Sequence, residues 1–430
     1  MRRVGPLSLL APFALSCVGP TAALPGDDAL REVPLSTLAV RSAAVRDDNR
    51  AGLVTRATFE RWVEAWGSTR PEGITGDLVV LQADEAPAPG RFVAQTPGVR
   101  AYHAADLAML LQSRNNGVVA LSRVPGNGVR ADAYLRRYGV RADRDLVVFV
   151  AGTRSARTVA ELARAWLTLR YWGLDHRSLA LVDAPVAELP ARLRADTAPP
   201  PPIANDDVRV PALRRSHFAL LAHLGDVRSA VGAREPLLDV RPAAEFEGRA
   251  PGSSALDETC LASPAACTPT FSGRIAGARH LPLERLLDPD TEAFRPLDAL
   301  DAALAPAGPT PPILYDTDGS TSAIAAFAAL AVVGTPARWY AASFLEWGAL
   351  NASHPVPALQ TLPPTSPWRT DEASATEGER RWGSAELAVR PLVFDPLAPN
   401  ADRIRRDDLE YLASPAPLPA PGAGDSGCLR

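Results

Sequence analysis

Twice in this chain the same order of patterns occurs: a short apolar run, a small polar loop, and a helical run that stops at glycine. The first copy is the apolar run 146–150, a loop reaching Ser155, and a helical run over 155–171 that closes at Trp172 and Gly173. The second is the apolar run 312–315, a loop over 316–321, and an Ala-rich helical run over 322–333 ending at Gly334. A buried strand that feeds directly into a helix restricts the chain to α/β architecture, with mainly parallel sheets flanked by helices. Further strand patterns lie at 77–81 and 179–182 around the first copy, and at 236–240 and 337–340 around the second. Helical spacing is also read at 55–66, 132–138 and 211–224. A repeat of about 150 residues is a duplication, not a solenoid.

Between the copies stands Pro199-Pro-Pro-Pro202, a stiff linker. A chain of 430 residues suits two such domains with length left over. The expected division is a signal at 1–23, a spacer at 24–49, a first domain at 50–197, a linker at 198–208, a second domain at 209–354, and an extended Pro-rich tail at 355–430. Within the tail, 414–424 reads as disordered.

The signal reading rests on Arg2 and Arg3, the apolar stretch 4–18, and small residues around Ala22 and Ala23. Pro6 and Pro12 make that stretch too short and too broken for a membrane span. Ala14-Leu15-Ser16-Cys17 also resembles a lipoprotein cleavage box, with Cys17 as the lipidated residue. The protein is therefore expected to be exported, either as a soluble periplasmic protein or as a lipoprotein, with the membrane touched only through an N-terminal lipid. Of the other cysteines, Cys260 and Cys267 lie close together in a small-residue loop. In an oxidising compartment they read as a disulfide, whose short loop would stabilise the fold by roughly 2–3 kcal/mol. Cys428 sits near the end of the tail and reads as a free or mixed-disulfide thiol.

A net charge of −4 gives no reason to expect a nucleic-acid partner. The six histidines are scattered singly, and no cysteine or histidine pair has ligand spacing, so neither a metal nor a cofactor is expected.

Three motifs in the second half, in order, resemble the rhodanese family of sulfurtransferases. LLDVRPAAEF (237–246), which contains Asp239, Arg241 and Glu245, looks like that family's strand-and-turn signature. GRIAGARH (273–280) resembles its glycine-alanine turn, and YAASFLEW (340–347) its closing aromatic motif. A long insert at 250–272 departs from the pattern. In the first half, VVFVAGTRSA (147–156) and LARAWLTLRYWG (162–173) resemble a more distant copy, with Ala151 near the cysteine position. The resemblance implies tandem rhodanese-like domains, the first without a catalytic residue. There Arg154 and Arg157 read either as ligands for an anion or as solvating a helix start.

In that family the loop between a strand and a helix curls into a cup of backbone N–H groups. The cup lowers a cysteine pKa and holds sulfur oxyanions, and the thiolate becomes a persulfide. The corresponding loop here is Asp316, Thr317, Asp318, Gly319, Ser320, Thr321 and Ser322. Asp316 takes the cysteine position, and a carboxylate forms no persulfide. Together with Asp318 it also places negative charge where an anionic substrate would sit. The loop thus reads as a relic in which Asp316 caps the following N–H groups, with binding of a small anion or a protein partner as the retained role. Two alternatives stay open. One is an active sulfurtransferase that uses Cys428. The other follows from ILYDTDGS (313–320), which also resembles the first motif of magnesium-dependent haloacid-dehalogenase-type phosphatases, with Asp316 as nucleophile and Asp318 as acid/base. Its later basic residue and acidic pair have no convincing place, since Asp395, Asp407 and Asp408 fall in no strand pattern.

Overall fold

The computed structural model describes residues 30–83, 91–103, 106–115, 119–205, 208–250, 273–305, 308–349, 390–391 and 403–413. The signal segment, Cys17, Cys260, Cys267, Cys428, the apolar island 392–394 and the segment 414–424 lie outside them.

The first half is built on five parallel strands: β1 (Gly52–Val54), β2 (Leu78–Ala83), β3 (Val99–His103), β4 (Leu146–Ala151) and β5 (Leu179–Val182), in the order β1-β5-β4-β2-β3. Every residue of β2, β4 and β5 is buried. Helices and loops cover both faces, so these strands read as unbroken apolar runs. Alternate residues serve two cores. Val80, Val148 and Val150 meet Phe59, Trp62 and Trp66 of helix α1 (Arg56–Thr69). Val79, Val147 and Phe149 face the opposite core, which runs on into the second half. Caps fix the helix starts. Thr55 Oγ1 accepts the Thr58 N–H at the head of α1, and Asn127 caps α2 (Gly128–Arg137). Ser155 and Thr158 form a reciprocal capping box on α3 (Ala156–Tyr171).

The second half has a smaller parallel sheet. Its strands are β6 (Leu237–Asp239), β7 (Arg279–His280), β8 (Ile313–Tyr315) and β9 (Arg338–Trp339), in the order β7-β6-β8-β9. Helix α4 (Leu224–Ala233) precedes it, and α5 (Ser320–Phe327) follows β8. α5 packs on α3, with the Phe327 ring edge-on to Trp166 at 5.1 Å. The helices that follow the two loops are thereby each other's neighbours, and the halves share one core.

Four expectations need correction. The helix expected over 211–224 is absent. Two 3-10 turns, Val210–Leu213 and Phe218–Leu220, flank an extended pair at Arg215–Ser216, and the helix begins only at Leu224. Arg214 adopts a left-handed conformation with φ +51°, and Phe218 stacks on Tyr171 at 4.5 Å. Tertiary packing overrides the spacing there. The run over 322–333 starts earlier, at Ser320, and its last six residues, Ala328–Val333, are a π-helix.

Of the segment read as a spacer over 24–49, the described residues 30–49 pack against the second half. Arg31–Glu32 pairs in parallel with Arg215–Ser216, the Val40 N–H donates to the Leu330 carbonyl at 2.7 Å, and Arg41 holds Asp301 through two bonds of 2.7 and 2.5 Å. The tail is not wholly extended either. Helix α6 (Arg403–Ala413) buries Ile404, Asp408 and Leu412, four residues apart on one face. Asp408 accepts from Arg114 at 2.7 and 2.8 Å and from the Tyr171 hydroxyl at 2.7 Å, while Arg405 reaches Asp226 at 2.5 Å. α6 therefore bridges the two halves. No helix among the described residues is long and apolar enough to cross a membrane.

Candidate functional site

β8 delivers the loop 316–322 to the C-terminal edge of the second sheet, where α5 begins. Two devices set its curl. Gly319 has φ +88°, and an added Cβ there would run into the Ala341 carbonyl oxygen, so only glycine fits. On the far side, Phe344 N–H donates to the Asp316 carbonyl and Leu345 N–H to the Thr317 carbonyl, both at 2.9 Å. The Trp339 indole N–H reaches Gly319 O at 3.2 Å and Ser322 Oγ at 3.1 Å.

The cup so formed is filled by its own Asp316. Oδ1 accepts the Gly319 N–H at 2.6 Å, the Ser322 hydroxyl at 2.8 Å and the Ser343 hydroxyl at 2.9 Å. Oδ2 accepts the Thr321 N–H at 2.7 Å, with Ser320 Oγ at 3.4 Å. The side chain is 2% exposed. Burial pushes its carboxyl up to about 6, and the neighbouring Asp318 carboxylate adds to the rise against the hydrogen bonds from Ser322, Ser343 and Thr321. Asp318 Oδ1 accepts from the Ser320 N–H at 3.0 Å and its hydroxyl at 2.5 Å.

The motif residues form the wall beneath. Asp239 and Arg241 are paired through contacts of 2.6–3.2 Å with both side chains buried, and Arg241 Nη2 also donates to Gly273 O at 2.6 Å. The guanidinium carbon lies 4.1 Å from the Phe344 ring centroid. Glu245 accepts the Thr317 hydroxyl at 3.0 Å, tying the wall to the cup. Asp239, Arg241 and Glu245 of the second-half motif thus come together with the loop 316–322.

Two contributors were missed. Ser343, at φ +52°, turns a hydroxyl onto Asp316 from a backbone region that non-glycine residues rarely adopt. It lay inside the aromatic motif, without a pattern of its own. Arg164 of α3 is buried and donates to Arg123 O at 2.7 Å and Asp318 O at 3.4 Å, so the first half touches the loop of the second. Nothing in its helical position announced that.

The first-half loop has a different role. Arg154 donates to Asp183 O at 2.6 Å and Thr291 O at 3.4 Å, and the Asp183 carboxylate accepts the Phe294 N–H at 3.3 Å. Arg154 therefore fastens the halves together and does not stand over the loop as an anion ligand. For the phosphatase reading, Asp408 on α6 is engaged by Arg114 of the first half, Asp407 is exposed, and Asp395 lies outside the described residues. Among the described residues no group of three or more His, Cys, Asp or Glu side chains is placed to hold a metal.

Solved structures similar to this chain include YnjE, aligned over 69% of this chain and 66% of that chain with TM-score 0.50 at 18% identity. The Tum1 protein from Saccharomyces cerevisiae aligns over 70% and 95%, with TM-score 0.47 at 18% identity. The 3-mercaptopyruvate sulfurtransferase from Leishmania major aligns over 71% and 76%, with TM-score 0.47 at 13% identity. At such identity the likeness to YnjE is one of fold. Among curated proteins, none matches the sequence. Residues 220–350 match the rhodanese-like domain family, and this segment, with strands β6 to β9 and the cup at 316–322, is a rhodanese-like domain.

Proposed function

We propose that the protein is an exported member of the rhodanese-like group that turns over no sulfur donor and acts by binding. The observation that carries this reading is the Asp316 carboxylate in the cup, with two backbone N–H groups and the Ser322 and Ser343 hydroxyls directed onto it. Those donors are the ones an oxyanion or a persulfide would need. With Asp316 in place an incoming anion finds them taken, and it meets negative charge from Asp318 as well. The Asp316 carboxyl group is an attached occupant that takes up the donors of the loop.

The binding role then lies elsewhere on the molecule, with a small anion or a protein as the partner. Export rests on the N-terminal arginines and apolar stretch, and on the closeness of Cys260 and Cys267. The catalytic part is tested by cyanide-dependent thiocyanate formation from thiosulfate, using the purified mature protein beside Asp316→Cys. No turnover is expected from the wild type and weak turnover from the variant. Clear wild-type turnover that survives Cys428→Ser would overturn the reading. Mass spectrometry of the N-terminus from the native host tests export. An acylated Cys17 or a free amine near Leu24 supports it, and a full-length cytosolic chain opposes it.

A further inference from the structure

The proline run between the halves has no part in the cup. Proline fixes its own φ at about −65° and drives the residue before it out of the helical region, so Ala198 to Pro201, each followed by proline, are extended. Such a succession sets a polyproline II rib, with about three residues per turn and a rise of about 3.1 Å per residue. Burial follows that period. Pro199, Pro202 and Asn205 are half-buried, while Pro200, Pro201, Ile203 and Ala204 are exposed. One edge of the rib therefore rests on the first half, and the other edges face solvent.

The rib is held at both ends. Before it, Arg194–Ala195 pairs antiparallel with Phe92–Val93. After it, the Asn205 N–H donates to Arg136 O at 2.9 Å, and Gly139 at φ +58° leaves room for the Ile203 carbonyl, which an added Cβ would strike. A segment fixed in this way has already lost the freedom that binding would otherwise cost.

Its composition is not that of a plain connector. From Ala198 to Ala204 no side chain is polar. Ile203 is 82% exposed and shares an edge with Pro200, three positions before it; Pro201 and Ala204 share the next. An exposed apolar run of this length is disfavoured on a surface that has no contact to make. The halves already share one core, so joining them does not require a stiff apolar rib. The charges that bound the run are acidic, Asp196 on one side and Asp206 and Asp207 on the other. Asp196 is exposed and makes no ion pair among the described residues.

We infer that this rib docks a protein partner whose cleft is lined by aromatic side chains and bordered by basic ones. Preformed polyproline II segments suit aromatic-lined clefts because little entropy is lost on docking. The solvent edges offer two paired contacts, Pro200 with Pro201 and Ile203 with Ala204, with Pro202 turned inward between them. Basic residues beside the cleft would meet the flanking aspartates. This docking rests on the binding role proposed above but not on the cup, so its failure in the test below and sulfur turnover by the wild type are separate results.

The test is isothermal titration of the full chain, and separately of a free peptide spanning 196–207, into two purified proline-reading modules, an SH3 domain and a WW domain. Each module is also used with its cleft tryptophan changed to alanine. Saturable binding of the full chain to at least one intact module is expected, with a dissociation constant below about 1 mM. It should be roughly threefold tighter than that of the free peptide, because the rib is preordered. It should weaken roughly tenfold when Pro200→Ala and Pro201→Ala are combined, and vanish with the altered cleft. Ile203→Ser replaces the double variant should that one not fold. Binding of the peptide but not of the full chain overturns the site, as does absence of binding by both modules. Binding that survives the rib substitutions or the altered cleft overturns it as well.

Discussion

Replacing Asp316 with asparagine isolates the charge of the buried carboxyl group. The shape is kept, and Oδ1 still accepts from the Gly319 N–H and the Ser322 hydroxyl. An amide group then faces the Thr321 N–H, donor against donor, at a cost of ~1–3 kcal/mol at any pH. The charge acts separately. In the folded protein the carboxyl is pushed up to about 6, whereas in the unfolded chain it titrates at about 3.9. Between those values the folded state holds a proton that the unfolded chain has released. The stability contributed by Asp316 is therefore full below about pH 4 and is lost, by on the order of 3 kcal/mol, as pH rises through about 6. Asparagine does not titrate. Urea unfolding of both proteins from about pH 4 to about pH 7 should show the wild type's advantage over Asp316→Asn shrinking by that amount. Taking the difference cancels the buried carboxyl groups remote from Asp316, though not the interaction with Asp318, which goes with the charge removed. A flat difference would refute the raised carboxyl. A difference that grows with pH would mean that the hydrogen bonds outweigh burial and Asp318, and hold the carboxylate below its usual range.

Three other substitutions probe the frame of the site. Asp239→Ala leaves Arg241 buried without its carboxylate and should cost about 3–5 kcal/mol in chemical denaturation. Gly319→Ala forces a Cβ against the Ala341 carbonyl at φ +88° and should cost about 2–4 kcal/mol; a neutral outcome would show that the loop relaxes freely. Asp408→Ala removes the acceptor for Arg114 and Tyr171, so hydrogen exchange should rise across α6 and at Asp226 while the β2 and β4 amides stay protected.

The sheet cores and the cup were legible because their signals are local. β2, β4 and β5 are buried on every residue, and a run such as 146–150 has few other homes. Asp316 through Ser322 sat between a readable strand and a readable helix, so the loop's place followed. Where long-range packing decides, the reading failed. Helix α6 buries only three residues of a mostly charged segment, and its partners, Arg114 and Tyr171, are hundreds of positions away in the chain. The strap over 30–49 owes its order to carbonyls of a π-helix that no periodicity announces. Ser343 and Arg164 reach the cup by a strained backbone and by contact between halves, neither of which leaves a motif.

Whether this protein does covalent sulfur chemistry is decided most directly by intact-mass spectrometry of the purified wild type after incubation with thiosulfate and removal of the donor. On the proposal that Asp316 fills the cup in place of a nucleophile, the expected spectrum shows no added sulfur on any residue, while Asp316→Cys under the same treatment gains one sulfur atom. A wild-type persulfide that survives Cys428→Ser would contradict the reading of the cup as a self-filled site and would place a nucleophile elsewhere in the chain.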